Sequence, residues 1–143
     1  MNFIKKMFCG SEKPKDGFKS LFIAWLNQGL SGPIPDDVKA FSFNIYEPAF
    51  EEGIKFGIEI IGAGSFEEDD PDWPCDEIWE PKQRGLSIPV DFSGDNWEKC
   101  LEVMTGEVNE LLSSNQPSAI ILNTKPIGIG FVDGDLTIIK NKS

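Results

Sequence analysis

Two stretches of the chain carry apolar residues at the three- and four-residue spacing of an amphipathic helix. The first is predicted to begin at Asp16 or Ser20 and to end near Gly29, and its apolar positions are Phe18, Leu21, Phe22, Trp25, Leu26 and Leu30. In the second, Asp95 is the predicted cap and Glu98 completes a capping box. Its apolar positions are Trp97, Leu101, Met104, Val108 and Leu111. The spacing therefore predicts two helices.

Alternation of apolar and polar residues predicts strands at 41–45 and 54–60, which we expect to form an antiparallel pair. A short strand at 86–90 contains Pro89, which favours a sheet edge. Further strands are predicted at 119–122, 127–132 and 136–140, the last two joined by a type I′ turn at Asp133-Gly134. The predicted order is α-β-β-β-α-β-β-β. It indicates a single α+β domain, with two helices on one face of a mostly antiparallel sheet of about five to six strands.

Composition removes several kinds of catalytic site. The chain of 143 residues has no histidine, which excludes Ser-His-Asp and Cys-His arrangements, and its one arginine is Arg84. The three cysteines include no Cys-x-x-Cys pair and fit neither a disulfide framework nor a zinc site. No apolar run approaches the roughly 18 residues that span a bilayer, and the first nine residues lack the apolar core of a secretory signal. We expect a cytoplasmic protein without a cofactor.

The negative charge is concentrated in one part of the chain. The net charge is −11, and the window from Glu47 to Glu80 holds twelve acidic residues against a single base, Lys55. The acids and bases of the remaining residues cancel. Such a surface repels nucleic acid and anionic membranes, and it attracts a basic partner. An alternative interpretation is a solvated acidic loop that only keeps the protein soluble.

Within that window lies a segment, residues 65–81, that we call the acidic loop. It combines eight acids with Phe66, Trp73, Ile78 and Trp79. Large aromatic rings within a charged rim are typical of protein-binding hot spots, in which the rings anchor a partner that the charges steer. The alternative is that the tryptophans fold back onto the core. The predicted partner-binding residues are Glu67, Glu68, Asp69, Asp70, Asp72, Trp73, Asp76, Glu77, Trp79 and Glu80.

Other functions of the same segment stay open. Asp70-Pro71-Asp72 begins like a calcium loop, but Cys75 stands where the loop needs glycine and Pro81 where it needs glutamate. A small acidic enzyme or a divalent-metal-binding protein that uses residues 67–80 is therefore the alternative function. A structural adaptor is a third interpretation. The glycine pairs at 62–64 and 128–130 lack the spacing and context of a nucleotide site and favour close backbone packing.

The run Ile58-Glu59-Ile60-Ile61-Gly62-Ala63, continuing into the Asp-Trp-Pro-Cys-Asp-Glu-Ile-Trp sequence of residues 72–79, resembles a known group of proteins. These are the small acidic bacterial immunity proteins of polymorphic-toxin and contact-dependent growth inhibition systems. The resemblance is best over residues 54–81, and the opening Met1-Asn2-Phe3-Ile4-Lys5-Lys6 is similar to that of several members. It implies a non-catalytic protein that binds and neutralises a cognate toxin domain. Many such toxins are nucleases, whose substrate clefts must be positive to hold phosphates.

Overall fold

The computed structural model describes residues 14–140, and the side chains of residues 17–139 within them. Within residues 14–140, four helices and six strands follow one another in an α+β arrangement. The helices are α1 (Pro14–Gly29), α2 (Val90–Ser93), α3 (Trp97–Leu112) and α4 (Pro117–Leu122). The strands are β1 (Ala40–Tyr46), β2 (Ile54–Ala63), β3 (Glu77–Trp79), β4 (Gly85–Pro89), β5 (Ile127–Phe131) and β6 (Leu136–Lys140). The α+β class and the number of strands predicted from the sequence are confirmed.

The strands form one mixed sheet in the order β3-β2-β1-β5-β6, and β4 also pairs with β2. The predicted antiparallel pair of β1 and β2 is confirmed, with Phe43 opposite Ile60. Strands β1 and β5 are parallel, and the long connection that a parallel pair requires contains three of the four helices. The other pairings are antiparallel. Strand β4 pairs with β2 alone, so the edge position indicated by Pro89 is confirmed.

One face of the sheet carries the main core. Alternate residues of β1, β2 and β5 meet α1 and α3 there, as the two-helix prediction required. Cys100 lies in this core, and burial raises the pKa of its thiol to about 12. Leu21 and Trp97 were predicted on the apolar faces, but both are exposed. Trp97 is the first residue of α3, where it lies edge-on to Phe131 at 6.1 Å instead of reaching the core.

Several local predictions are wrong. The run at 119–122 belongs to helix α4, since Pro117 occupies its first turn and Ala119 and Leu122, three residues apart, face inward. Helix α1 begins at Pro14, before both predicted caps. The cap of α3 is Asn96, whose Oδ1 accepts from the Lys99 N–H at 2.8 Å.

The hairpin of β5 and β6 forms as predicted, but its connection spans residues 132–135. Its turn is closed by the Gly134 N–H donating to the Phe131 carbonyl at 2.9 Å. Gly134 lacks the positive φ that a type I′ turn demands.

Candidate functional site

The acidic loop lies over the second face of the sheet, and Trp73 attaches it there. The indole ring is only 2% exposed and packs with Ala40, Ile61 and Ala63, while Phe66 lies edge-on to it at 5.2 Å. Small residues beneath the ring make this possible: a methyl group on Gly128 would lie 3.0 Å from Trp73 Cζ2. The prediction that Trp73 is an exposed anchor is therefore wrong. Its ring fixes the loop to the sheet.

Backbone hydrogen bonds hold the rest of the loop in place. The Gly64 N–H donates to the Asp76 carbonyl at 2.8 Å, which closes the loop where it leaves β2. A short 3₁₀ turn over Trp73–Cys75 carries the buried ring. Ahead of it, the Asp72 N–H donates to Asp70 Oδ1 at 2.9 Å, as in an Asx turn. The backbone of the loop is therefore well defined, and it determines where each side chain leaves the main chain.

The defined loop presents a group of uncompensated carboxylates. These side chains are exposed, and none of them forms an ion pair with another of the residues that the structure describes: Glu67, Glu68, Asp69, Asp70, Asp72 and Asp76. Because backbone hydrogen bonds and Trp73 hold the loop in place, these carboxylates stay close to one another. They form a concentrated negative surface that is available to a basic partner.

The other acids of the loop are engaged by Arg84. Its guanidinium donates to both oxygens of Glu59 at 3.1 Å, to Glu80 Oε1 at 2.7 Å, and to both oxygens of Glu77. These bonds raise the pKa of Arg84, mainly through Glu77 and then Glu59. Glu77 and Glu80 belong to β3 and its end, so Arg84 fastens this edge strand to β2. Two predicted partner-binding residues therefore have a structural role as well.

Trp79 has an intermediate position. Its ring meets Phe41 edge-on at 5.9 Å and is partly buried against the core. It also lines a groove of about 470 Å³ beside the end of α1, where Trp25 Nε1 donates to the Gln83 carbonyl at 2.7 Å. Trp79 is therefore partly exposed in this groove and otherwise packs against the core.

Beside the loop, the second face is polar. The Ser42 hydroxyl donates to Asn44 Oδ1 at 2.8 Å, and Asn44 Nδ2 donates to Glu59 Oε2 at 3.1 Å, which continues the network of Arg84. Tyr46 lies next to this network, and burial together with the charge of Glu59 raises the pKa of its hydroxyl. The polar groups of this network therefore form hydrogen bonds with one another.

A groove of about 250 Å³ runs between the acidic loop and the β5–β6 hairpin, with Asn44, Asp72, Cys75 and Val132 among its lining residues. Each of the two grooves is lined by a single carboxylate, Asp72 here and Glu80 beside α1. A glycosidase-type mechanism requires a facing pair of acids. Neither groove supplies one.

Among residues 14–140, no group of three or more Asp, Glu or Cys side chains is close enough together to hold a metal ion. The same part of the chain contains no helix that is both long and apolar enough to cross a membrane. Comparisons with protein-family models, with curated proteins and with solved structures found no match for this chain.

The most exposed aromatic ring was not among the predicted contact residues. Phe50, in the loop between β1 and β2, is 95% exposed and is flanked by Glu51 and Glu52. The sequence contains an indication of its exposure, since an aromatic residue among acids is the same composition that favoured Trp73 as a contact residue. The greater density of acids at 65–81 concealed it.

Proposed function

We propose that this protein is a non-catalytic, cytoplasmic immunity-type protein that binds and neutralises a basic toxin domain through the acidic loop. One observation carries the proposal: a loop fixed to the sheet by a buried tryptophan presents six carboxylates that have no cationic partner among the described residues. The contact residues of this surface are Glu67, Glu68, Asp69, Asp70, Asp72 and Asp76.

Fixed charges suit this role for a physical reason. A flexible acidic tail loses conformational entropy when it is ordered on a partner, whereas the acidic loop is already ordered by Trp73 and by its backbone hydrogen bonds. Concentrated charge of one sign also steers a partner of opposite sign and accelerates association. A nuclease cleft lined with lysine and arginine would be such a partner, and the loop would occupy the place of the phosphates.

The test uses, as the candidate toxin, the C-terminal domain of a large secreted protein encoded beside the gene for this chain. Co-expression with the wild-type protein should protect cells that the toxin alone kills, and the purified proteins should form a complex. Changing Glu68, Asp69 and Asp70 together to Gln, Asn and Asn should slow association by about tenfold and flatten its dependence on salt. The dissociation rate should change much less.

A matched control removes the same number of charges elsewhere. Asp36, Asp37 and Glu102 are also exposed, and their amides should leave the association rate within about twofold of the wild type, because those charges lie outside the loop. Equal slowing by both triple variants would contradict a role for the loop beyond net charge. Absence of both protection and complex formation would refute the immunity function itself.

A further inference from the structure

The loop between β1 and β2 (residues 47–53, the Phe50 loop) is short and tied at its base. The Ile54 N–H donates to the Glu51 carbonyl at 3.0 Å, and the Val90 N–H at the start of α2 donates to the Gly53 carbonyl at 2.8 Å. Gly53 takes a φ of +80°, which turns the chain into β2. The position of this loop is thus set by three elements of the fold.

At its tip the Phe50 loop displays a whole aromatic ring. Phe50 is 95% exposed, more than any other large apolar side chain that the structure describes. A ring of this size gains free energy when it leaves water, so its display favours burial against a partner. Glu47, Glu51 and Glu52 surround it in the sequence, and all three are exposed.

Other exposed apolar residues lie at the same end of the sheet. Strands β1 and β5 both end there, as the Val132 N–H donates to the Ile45 carbonyl at 3.0 Å. Val132 is exposed, and Trp97, at 56% exposure, rests on Phe131. Three of the six large exposed apolar side chains among the described residues are therefore found at this end of the molecule: Phe50, Trp97 and Val132. We call it the Phe50 end.

The charges of the Phe50 end indicate what covers it. The loop and the beginnings of α2 and α3 expose six acids against two bases, Lys55 and Lys99; the acids are Glu47, Glu51, Glu52, Asp91, Asp95 and Glu98. A second copy of this chain would bring the same negative charges together, at a net charge of −11 per molecule. A basic surface with an apolar pocket would bury the Phe50 ring and would attract the surrounding carboxylates.

We propose that the Phe50 end is a docking surface for a basic protein partner, with Phe50 as the apolar anchor that inserts into it. The inference rests on the proposed function in taking the partner to be the basic toxin. It differs from that function in assigning the anchoring ring to a second site, built on residues outside the acidic loop. The acids of the loop speed the encounter, and Phe50 sets the lifetime of the complex.

The experiment uses two chemically defined probes, a short helical peptide of lysine and leucine and an oligolysine of equal charge. Both are titrated into the full-length protein while backbone amide signals are followed by nuclear magnetic resonance. The lysine–leucine peptide should shift signals at residues 47–53 and around Trp97. Phe50→Ser should reduce the affinity for this peptide by about tenfold and leave the affinity for oligolysine unchanged.

The matched control is Ile120→Ser, which removes another apolar side chain of 67% exposure from α4. It should leave the affinity for the lysine–leucine peptide unchanged. If both variants lost affinity for the peptide equally, or if the shifted signals were confined to residues 67–76, the proposal of a docking surface at the Phe50 end would be wrong. The toxin experiment would still support the proposed function in that case. Conversely, a toxin that fails to bind the wild-type protein would refute the function and leave the peptide result standing.

Discussion

The acidic loop and the Phe50 loop share a composition and differ in the direction of their rings. Both combine acids with aromatic residues, and they are joined to opposite ends of β2, a strand of ten residues. Beneath the acidic loop the second sheet face contains Ala40, Ala63 and Gly128 beside Ile61, and these small residues leave room for Trp73. The Phe50 ring has no such recess and stays in water. Aromatic composition therefore marks both regions, but the packing partners decide which ring is structural and which is displayed.

The largest expected effect separates the two rings by stability. Trp73→Ala should lower the free energy of unfolding by about 3–5 kcal/mol, because it empties a buried site under the acidic loop. Phe50→Ala should change it by no more than about 0.5 kcal/mol, because the ring contacts mainly solvent. Urea unfolding followed by circular dichroism measures both. Trp73→Phe, which keeps a ring at the site, should lose clearly less than Trp73→Ala, and equal stability of all three variants would contradict the assigned burial.

A smaller effect is expected from the ion pairs of Arg84 with Glu59, Glu77 and Glu80, which we call the Arg84 clamp. The Phe50 loop has no equivalent among the described residues. Arg84→Met leaves Glu59, Glu77 and Glu80 facing one another and should cost about 1–2 kcal/mol, a range reduced because the Arg84 side chain is 37% exposed. Hydrogen exchange should quicken in β3 and stay unchanged in β6. Lys19→Met, which breaks the surface pairs with Glu107 and Glu110, is the control and should cost about 0.5 kcal/mol or less. Equal costs would mean that the clamp is only another surface pair.

The sequence predicted the elements whose burial is periodic. Helix α3 and strands β1 and β2 were found because alternate or third-and-fourth residues face one core, and that pattern is local. The run 119–122 was misassigned because four apolar residues fit a strand and a helical turn equally well. The burial of Trp73 depends on residues as distant as Ala40 and Gly128, which no local pattern connects. Glycine at alternate positions of β5 was the available clue, since it indicates that something large covers that face.

The turn that positions Phe50 gives the next effect in size. Gly53→Ala places a side chain at a φ of +80° and should cost about 1 kcal/mol, although the space around it is open. Gly106→Ala is the matched control, because Gly106 lies in α3 with nothing within 4 Å and an ordinary helical backbone. It should stabilise the protein by about 0.5–1 kcal/mol. Thermal unfolding of the two variants should shift in opposite directions, and a shift in the same direction would contradict the strained turn.

The smallest effect concerns the acids themselves. The triple amide of Glu68, Asp69 and Asp70 should change the free energy of unfolding by less than about 0.5 kcal/mol, with a slight gain at low salt as like charges are removed. Asn at position 70 keeps an oxygen that can accept from the Asp72 N–H, so the turn is retained. The gain should vanish at high salt, because screening already weakens the repulsion in the wild type.

Urea unfolding at low and high salt measures this change, and the amides of Glu47, Glu51 and Glu52 provide the comparison at the Phe50 loop. The two triple variants should show the same small change in the free energy of unfolding. The reason is that all six carboxylates are exposed and none forms an ion pair with another described residue. A loss of more than about 1 kcal/mol in the acidic loop alone would show that its carboxylates hold the fold together. The near-equal result expected here leaves Trp73 and Arg84 as the groups that hold the loop, and leaves the exposed acids free to meet a partner.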